Sequence, residues 1–279
     1  ALRQLGAKVT AINTDFDGNN INVNCGSTNL EQLKACVIET GAALGIAHDG
    51  DADRVLAIDE AGNEIDGDFI EAICALDLKR QGRLTHNPVV STVLCNLGFV
   101  TAMRDNGIEV IQTAVGDSNV LAAMREGGFA LGGEQSGHII HLEYNSTGDG
   151  LVSALCLLAA LKRSGLPLGR LAQVMTRYPQ ILTNIKVVDK AAFTSSSVIT
   201  EAIRQAQKRL GEQGRVLVRP SGTEPLIRVM VEALDEQQAR NEAQLLADLI
   251  KQELPIPTPT NATPTQPTTP TTLTQPTVP

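Results

Sequence analysis

Residues 43–54 read ALGIAHDGDADR, a short apolar run that ends in an acidic loop. Asp49, Asp51 and Asp53 fall at alternate positions with Gly50 and Ala52 between them, and Arg54 follows at once. Side chains on one helix face lie three or four positions apart, so this spacing is wrong for a helix. It suits a tight loop delivered by a buried strand over residues 43–47, with Gly50 expected to take a positive φ. Alternate carboxylates in such a loop can converge on one hard, oxygen-seeking cation of the Mg²⁺ type that keeps positions open for phosphate oxygens. The same residues also fit a solvated acidic turn. An EF-hand loop fits poorly, because its sixth position needs glycine and Arg54 stands there.

Working outward, residues 2–12 read as the last turn of a helix, a Gly6 stop and a short strand, followed by a polar loop, NTDFDGNNINVNCGSTN. Leu33, Val37 and Ile38 share one face of a short helix over residues 31–39. Strands at 55–59 and 64–65 flank the turn signal AGN. Residues 1–65 are thus expected to be an incomplete α/β domain carrying the acidic loop. Asp68 is expected to cap a helix that runs through Lys79 to a stop at Gly82. Strands at 89–94, 108–113 and 129–131 then alternate with helices at 98–106 and 117–126, the pattern of a parallel sheet with right-handed crossovers. A strand at 138–142 and a long apolar helix at 149–162 close this second unit, residues 66–177.

From residue 178 the pattern becomes strand (181–188), helix (195–210), strand (215–218), loop, strand (226–233) and helix (235–254). The two strands around the tight loop imply an antiparallel pair and a small α+β domain over 178–254. The fold class expected is therefore α/β: successive domains with mixed, largely parallel sheets, then a small α+β domain. Residues 255–279 hold eight of the thirteen prolines, ten threonines and no charge. That composition cannot bury a core and predicts an extended, disordered tail.

The 279 residues carry a net charge of -8 and no tryptophan. An acidic chain of pI near 5.1 argues against a nucleic-acid surface. No apolar run of about 18 residues exists to span a membrane. The five cysteines are odd in number, scattered and without metal spacing, which predicts reduced, packed thiols in a cytoplasmic protein. The chain opens on Ala1 in mid-pattern, so either its start has been removed or it is part of a larger protein.

Two further loops carry chemistry. Residues 219–225, RPSGTEP, put an arginine fork, two hydroxyls and free backbone N–H groups around Gly222, a phosphate cradle or an ordinary Pro-Ser-Gly turn. Residues 132–138, GGEQSGH, place Glu134, Ser136 and His138 at alternate positions. Such groups can hydrogen-bond vicinal sugar hydroxyls, and an imidazole can move a proton near neutral pH. His138 alone also fits a structural histidine.

An aspartate metal loop, a sugar-type loop and a phosphate cradle in that order resemble the α-D-phosphohexomutase superfamily. The segments GNNIN (18–22), CGST (25–28), VGD (115–117), GGEQSGHII (132–140) and STGDG (146–150) are most similar to the branch that works on glucosamine phosphates. The resemblance spans residues 1–254. It implies an isomerase that interconverts glucosamine 6-phosphate and glucosamine 1-phosphate through a phosphoserine and a bisphosphate intermediate. Asp49, Asp51 and Asp53 match its Mg²⁺ ligands, and Arg54 matches the arginine beside the transferred phosphoryl. Glu134 and Ser136 match sugar-hydroxyl contacts, with His138 near them as an acid/base group. Arg219, Ser221, Gly222 and Thr223 match the clamp on the non-reacting phosphate.

Two departures qualify the match. The family's serine loop, of the form TASHNP, belongs to a domain expected before residue 1, so the missing N-terminal domain is an expected partner and the isolated chain is expected to be inactive. Residues 85–88, THNP, follow the metal loop where the family has a connector, and Thr85 is not taken as a substitute. Ser118 stands where many members have arginine, which leaves one substrate contact unassigned. A phosphomannomutase or phosphoglucomutase, or a sugar-phosphate binder without catalysis, remains the alternative.

Overall fold

The computed structural model describes residues 1–15 and 18–254; the expected Pro/Thr tail lies outside the described residues. The first unit pairs α1 (Glu31–Thr40) with a three-stranded sheet of β1 (Leu44–His48), β2 (Val55–Asp59) and β3 (Glu64–Ile65) in the order β1-β2-β3. Both pairings are antiparallel. Every residue of β2 is buried, and Val55, Ala57 and Ile65 join the main core.

The second unit contains α2 (Gly67–Arg80), β4 (Val89–Thr92), α3 (Leu97–Asp105), β5 (Val110–Thr113), α4 (Asp117–Gly127), β6 (Leu131–Gly133), β7 (Ile139–His141) and α5 (Gly150–Ser164). A short helix, α6 (Leu168–Leu171), follows. The sheet order is β5-β4-β6-β7, with β4 parallel to β5 and β6, and β7 antiparallel at the edge. Helices α2, α3 and α5 bury Ile70, Phe99 and Leu157 completely against one face. Burial of that completeness is worth about 1.5–3 kcal/mol per side chain. On the other face Val120 and Met124 of α4 pack on Val90 and Ile140.

The third unit is β8 (Gln180–Lys186), α7 (Ala191–Ser195), α8 (Ser197–Leu210), β9 (Gly214–Pro220), β10 (Leu226–Ala233) and α9 (Glu236–Glu253). Its sheet, ordered β8-β10-β9, is antiparallel throughout and has its own core under α8 and α9. The fold is therefore a succession of α/β layers with one mostly parallel sheet and a small antiparallel C-terminal unit.

Three expectations need correction. Residues 7–12 form no strand, because among the described residues no neighbouring strand offers them a ladder. Helix α2 is capped by Asp66, whose side chain accepts from Phe69 N at 3.3 Å. Asp68 is instead fully buried and accepts from Asn96 N at 2.7 Å, tying α2 to the loop after β4. The helix expected over 195–210 is α8, which starts two residues later because the Ser196 hydroxyl accepts from Ile199 N and caps it; the short α7 before it was not expected.

The second and third units meet through buried polar groups. Asn96 donates from Nδ2 to Tyr178 O at 3.0 Å and accepts from Tyr178 N at 2.9 Å. Glu232, fully buried, accepts from Leu97 N at 3.3 Å, Gln180 Nε2 at 3.1 Å and Arg215 Nε at 2.8 Å. Arg215 also donates to Cys95 O at 2.7 Å.

Candidate active site

The ladder that pairs His48 with Val55 holds the six residues between them as a closed loop. Ala52 N donates to Asp49 O at 3.2 Å, and Arg54 N donates to Asp49 Oδ1 at 3.3 Å. Ala52 (φ 58°), not Gly50, takes the left-handed conformation, because the chain reverses after the Asp49 turn closes. Gly50 serves another purpose: a Cβ there would lie 2.5 Å from Ile21 Cγ2.

This loop brings one carboxylate oxygen each of Asp49, Asp51 and Asp53 within 4.8 Å of one another. At such separations and an effective dielectric near 20, each like-charge pair repels by about 3 kcal/mol. One guanidinium stands against them, with Arg54 Nε 3.5 Å from Asp49 Oδ2 and 3.8 Å from Asp53 Oδ1. Burial, then the adjoining Asp49 and Asp51, push the Asp53 carboxyl above its ordinary pKa, while His138 pulls it down. Asp53 Oδ1 is buried with no hydrogen-bond partner. An all-oxygen, over-charged donor set with an orphaned oxygen fits a hard divalent cation.

The sugar-type loop joins β6 to β7 and closes on itself through Glu134 N to His138 O and Gly137 N to Glu134 O, both 3.0 Å. It is laced to the end of the aspartate loop: Val55 N donates to Gly137 O at 3.0 Å, and Arg54 and His138 form a β-bridge. His138 Nε2 lies 3.7 Å from Asp53 Oδ2 and 3.9 Å from Asp117 Oδ2, buried among the carboxylates. The STGDG segment forms the backing wall. A Cβ at Gly148 would meet the His138 ring at 2.3 Å, and Gly150 N donates to Ala52 O at 2.9 Å. Glu134 turns its Oε1 to accept from Gly116 N at 3.2 Å.

Arg54, Glu134 and Ser136 line one cleft of about 550 Å³, together with Arg177, Leu94 and Gln135. Leu94 and Gln135 also wall an adjoining pocket whose far side holds Arg219 and its cross-strand neighbour Arg228. The groove thus runs from the aspartate loop to a pair of guanidinium groups. The other clamp residues behave differently. Ser221 is buried; its N donates to Leu226 O and its Oγ accepts from Glu224 N, so its hydroxyl holds the loop together. Gly222 and Thr223 are exposed and wall neither pocket. Thr85 lies in the turn that leads into β4, at the opposite end of that strand from Leu94.

Sequence reasoning missed Asp117, Gln135, His48 and Arg177. His48 Nδ1 lies 2.9 Å from Arg54 O and props the loop. Arg177 donates to Asp66 Oδ2 at 2.7 Å and covers the Phe69 ring. Asp66 accepts in addition from Gln135 Nε2 at 3.3 Å. Asp117 stood in the VGD segment; nothing local in the sequence marked Arg177.

Three family profiles match consecutive stretches: "Phosphoglucomutase/phosphomannomutase, alpha/beta/alpha domain II" over residues 1–62, domain III of the same description over 66–178, and the C-terminal domain over 182–249. The chain belongs to the phosphoglucomutase/phosphomannomutase family. Similar members are the phosphoglucosamine mutases of Streptomyces griseus, 54% identical over 91% of this chain, and Frankia alni, 52% identical over 92%. The chain spans about half the length of these curated relatives, 56% of each. Among solved structures, Aspergillus fumigatus N-acetylphosphoglucosamine mutase aligns with a TM-score of 0.72 at 23% identity, covering 86% of this chain and 54% of that one. A Burkholderia thailandensis phosphoglucomutase/phosphomannomutase family protein also gives 0.72 at 23%, covering 90% and 56%. At these identities the two structures support the family fold. Among the described residues, no single helix is long and apolar enough to cross a membrane, and all five cysteines are free.

Proposed function

We propose that this chain forms the metal, sugar and phosphate-clamp portion of a phosphoglucosamine mutase, an isomerase that interconverts glucosamine 6-phosphate and glucosamine 1-phosphate. The observation that carries the reading is the β-bridge between Arg54 and His138, which fuses the aspartate and sugar-type loops into one end of a groove whose other end holds Arg219. Identity of 50–54% to phosphoglucosamine mutases over about nine-tenths of the chain supports this sugar class over mannose or glucose phosphates. The phosphoryl-carrying serine of the proposed cycle belongs to a further N-terminal domain, and the isolated chain does not turn over. A cytoplasmic location, consistent with the unpaired cysteines, is part of the same proposal.

Asp49, Asp51 and Asp53 would hold Mg²⁺, the ion named with one Aspergillus fumigatus relative's structure. When bound, that ion supplies Lewis-acid neutralisation of a transferring phosphoryl group. Arg54 adds a fixed positive charge beside the same group. His138, buried between Asp53 and Asp117, holds or moves a proton at Nε2 next to the reacting sugar oxygen. Glu134 and Ser136 orient the hexose through its hydroxyls. Arg219, with Arg228 across the ladder, grips the phosphate that does not react, and holding both ends in register supplies orientation.

Calorimetric titration of glucosamine 6-phosphate, glucose 6-phosphate and mannose 6-phosphate into the chain with Mg²⁺ tests this. Saturable binding is expected, tightest for the glucosamine ester, and Arg219→Ala should weaken all three by tenfold or more, as loss of a charge-assisted pair does. Absence of binding, or an inert Arg219→Ala, would overturn the assignment. Turnover by the isolated chain that vanishes in Thr85→Ala would overturn the exclusion of Thr85.

A further inference from the structure

Helix α2 begins at the groove and ends at a different cavity. A Cβ on Gly67, its first residue, would lie 2.1 Å from Glu134 O in the sugar-type loop. Arg80, its last residue, stands about 20 Å further along at about 1.5 Å per residue. There a cavity of about 390 Å³ opens between α2, the C-terminal half of α5 and the α6 segment. That volume lies within the usual range of small-molecule sites. None of its lining residues walls the groove.

The lining surface is mostly polar, and its charges have one sign. Arg80 and Arg170 line the cavity, both exposed, and no aspartate or glutamate does. Among the described residues Arg80 has no hydrogen bond or ion pair. Arg170 donates to the neutral Gln173 Oε1, which leaves the rest of its fork open. A third cation stands beside them: Lys79 Nζ donates to Asn106 O at 2.7 Å and to Gly107 O at 2.8 Å, and Asn106 is itself a lining residue. The acids closest along these elements are engaged elsewhere, Asp77 with Arg163, Asp105 with Arg104 and Glu60 with Gly169 N. In a chain of net charge -8, three cations without a carboxylate around one concavity focus a positive field.

We propose that this cavity is a second anion site, separate from the groove, for a small organic phosphate whose phosphoryl group is taken by Arg80 and Arg170. Open guanidinium forks match phosphate oxygens. The charge follows from the count of cations: a phosphate monoester carries about -1.5 to -2 at neutral pH, which answers two guanidinium groups with Lys79 behind them better than the single charge of a carboxylate or a sulfate ester. The organic body follows from Leu166, which is 46% exposed in the wall and, with Leu171, offers apolar surface that an inorganic ion would leave bare. The site does not rest on the mutase reading, because its residues are not those of the groove.

The probe is n-butyl phosphate, titrated calorimetrically into the full chain in the presence of a chelator, on an Arg219→Ala background that weakens phosphate capture in the groove. Saturable binding at one site is expected. Adding Arg80→Ala or Arg170→Ala should each weaken it about tenfold or more, the worth of a hydrogen bond between charged groups. Arg125→Ala, an exposed arginine of α4 away from the cavity, should leave it unchanged. The singly charged n-butyl sulfate should bind about tenfold more weakly. No saturable binding, affinity unmoved by Arg80→Ala or by Arg170→Ala, an equal loss in Arg125→Ala, or n-butyl sulfate binding as tightly would each overturn the proposal. Thermal melts establish that the variants are folded; should one of the two cavity variants not fold, the other decides alone.

Discussion

Replacing Gly150 by alanine probes how the aspartate loop is held. Gly150 opens α5, and a Cβ at this position would lie 2.2 Å from Arg54 O, 2.6 Å from His48 Nδ1 and 2.8 Å from Arg54 C. Two of these atoms are backbone, so relief requires the loop to move by roughly 1 Å, an overpacking cost of about 1–3 kcal/mol. That movement also stretches the bonds from Gly150 N to Ala52 O and between His48 and Arg54 O, each worth about 0.5–1.5 kcal/mol. Against this, alanine in a helix gains about 0.5–1 kcal/mol over glycine. The sum predicts destabilisation of about 1–5.5 kcal/mol in urea unfolding, together with a weaker response to Mg²⁺ or Mn²⁺ in the thermal melt. A Gly150→Ala variant that is as stable as wild type, with its metal response intact, would refute the view that α5 backs the aspartate loop.

Two other predictions follow from local geometry. Gly222 has no atom within 4 Å of a would-be Cβ, so Gly222→Ala should leave stability unchanged or raise it by up to about 1 kcal/mol, while weakening phosphosugar binding in calorimetry if a phosphate approaches that backbone; a destabilised variant would contradict the open space described. Glu71 is fully buried with both carboxyl oxygens unpartnered, and burial, then Asp68, raise its pKa well above the ordinary 4.5. Its stabilising contribution is therefore present below about pH 4.5 and lost as pH rises, by up to about 1.4 kcal/mol per unit until the folded-state pKa is passed. Glu71→Met should accordingly gain more stability at pH 8 than at pH 5 in urea titrations, and the opposite pH trend would sink this account.

Much of the local structure was legible because its signals are local. Strand β10 falls where alternation and the flanking turn put it, and the Asp-rich loop sits between β1 and β2 as its spacing implies. What escaped depends on distant partners. Asp66 and Asp68 are equally able caps by sequence; Asp68 is diverted by Asn96, 28 residues away. Residues 7–12 have strand-like composition, but a strand exists only where a ladder is offered. The turn-forming role expected of Gly50 fell to Ala52, since closure of the loop is set by the His48 and Val55 pairing. Ser221 reads as a phosphate ligand in RPSGTEP; its hydroxyl accepts from Glu224 N within the loop and keeps its own hydrogen to donate. Arg177 reaches the cleft only because Asp66 and the Phe69 ring draw it there.

The buried junction of Asn96, Arg215 and Glu232 fixes where the C-terminal unit sits against the second unit. The Arg215–Glu232 pair lies within the C-terminal unit; what crosses to the second unit are the bonds of Glu232 with Leu97 N and of Arg215 with Cys95 O, each to a charged group and worth about 1.5–3 kcal/mol. The loop that bears this joint continues directly from Leu94, which walls the groove. Arg219 stands four residues along β9 from Arg215, so the strand pinned at Cys95 is the one that carries the guanidinium at the far end of the groove, and the span a guest must bridge to the aspartates is set at that pin.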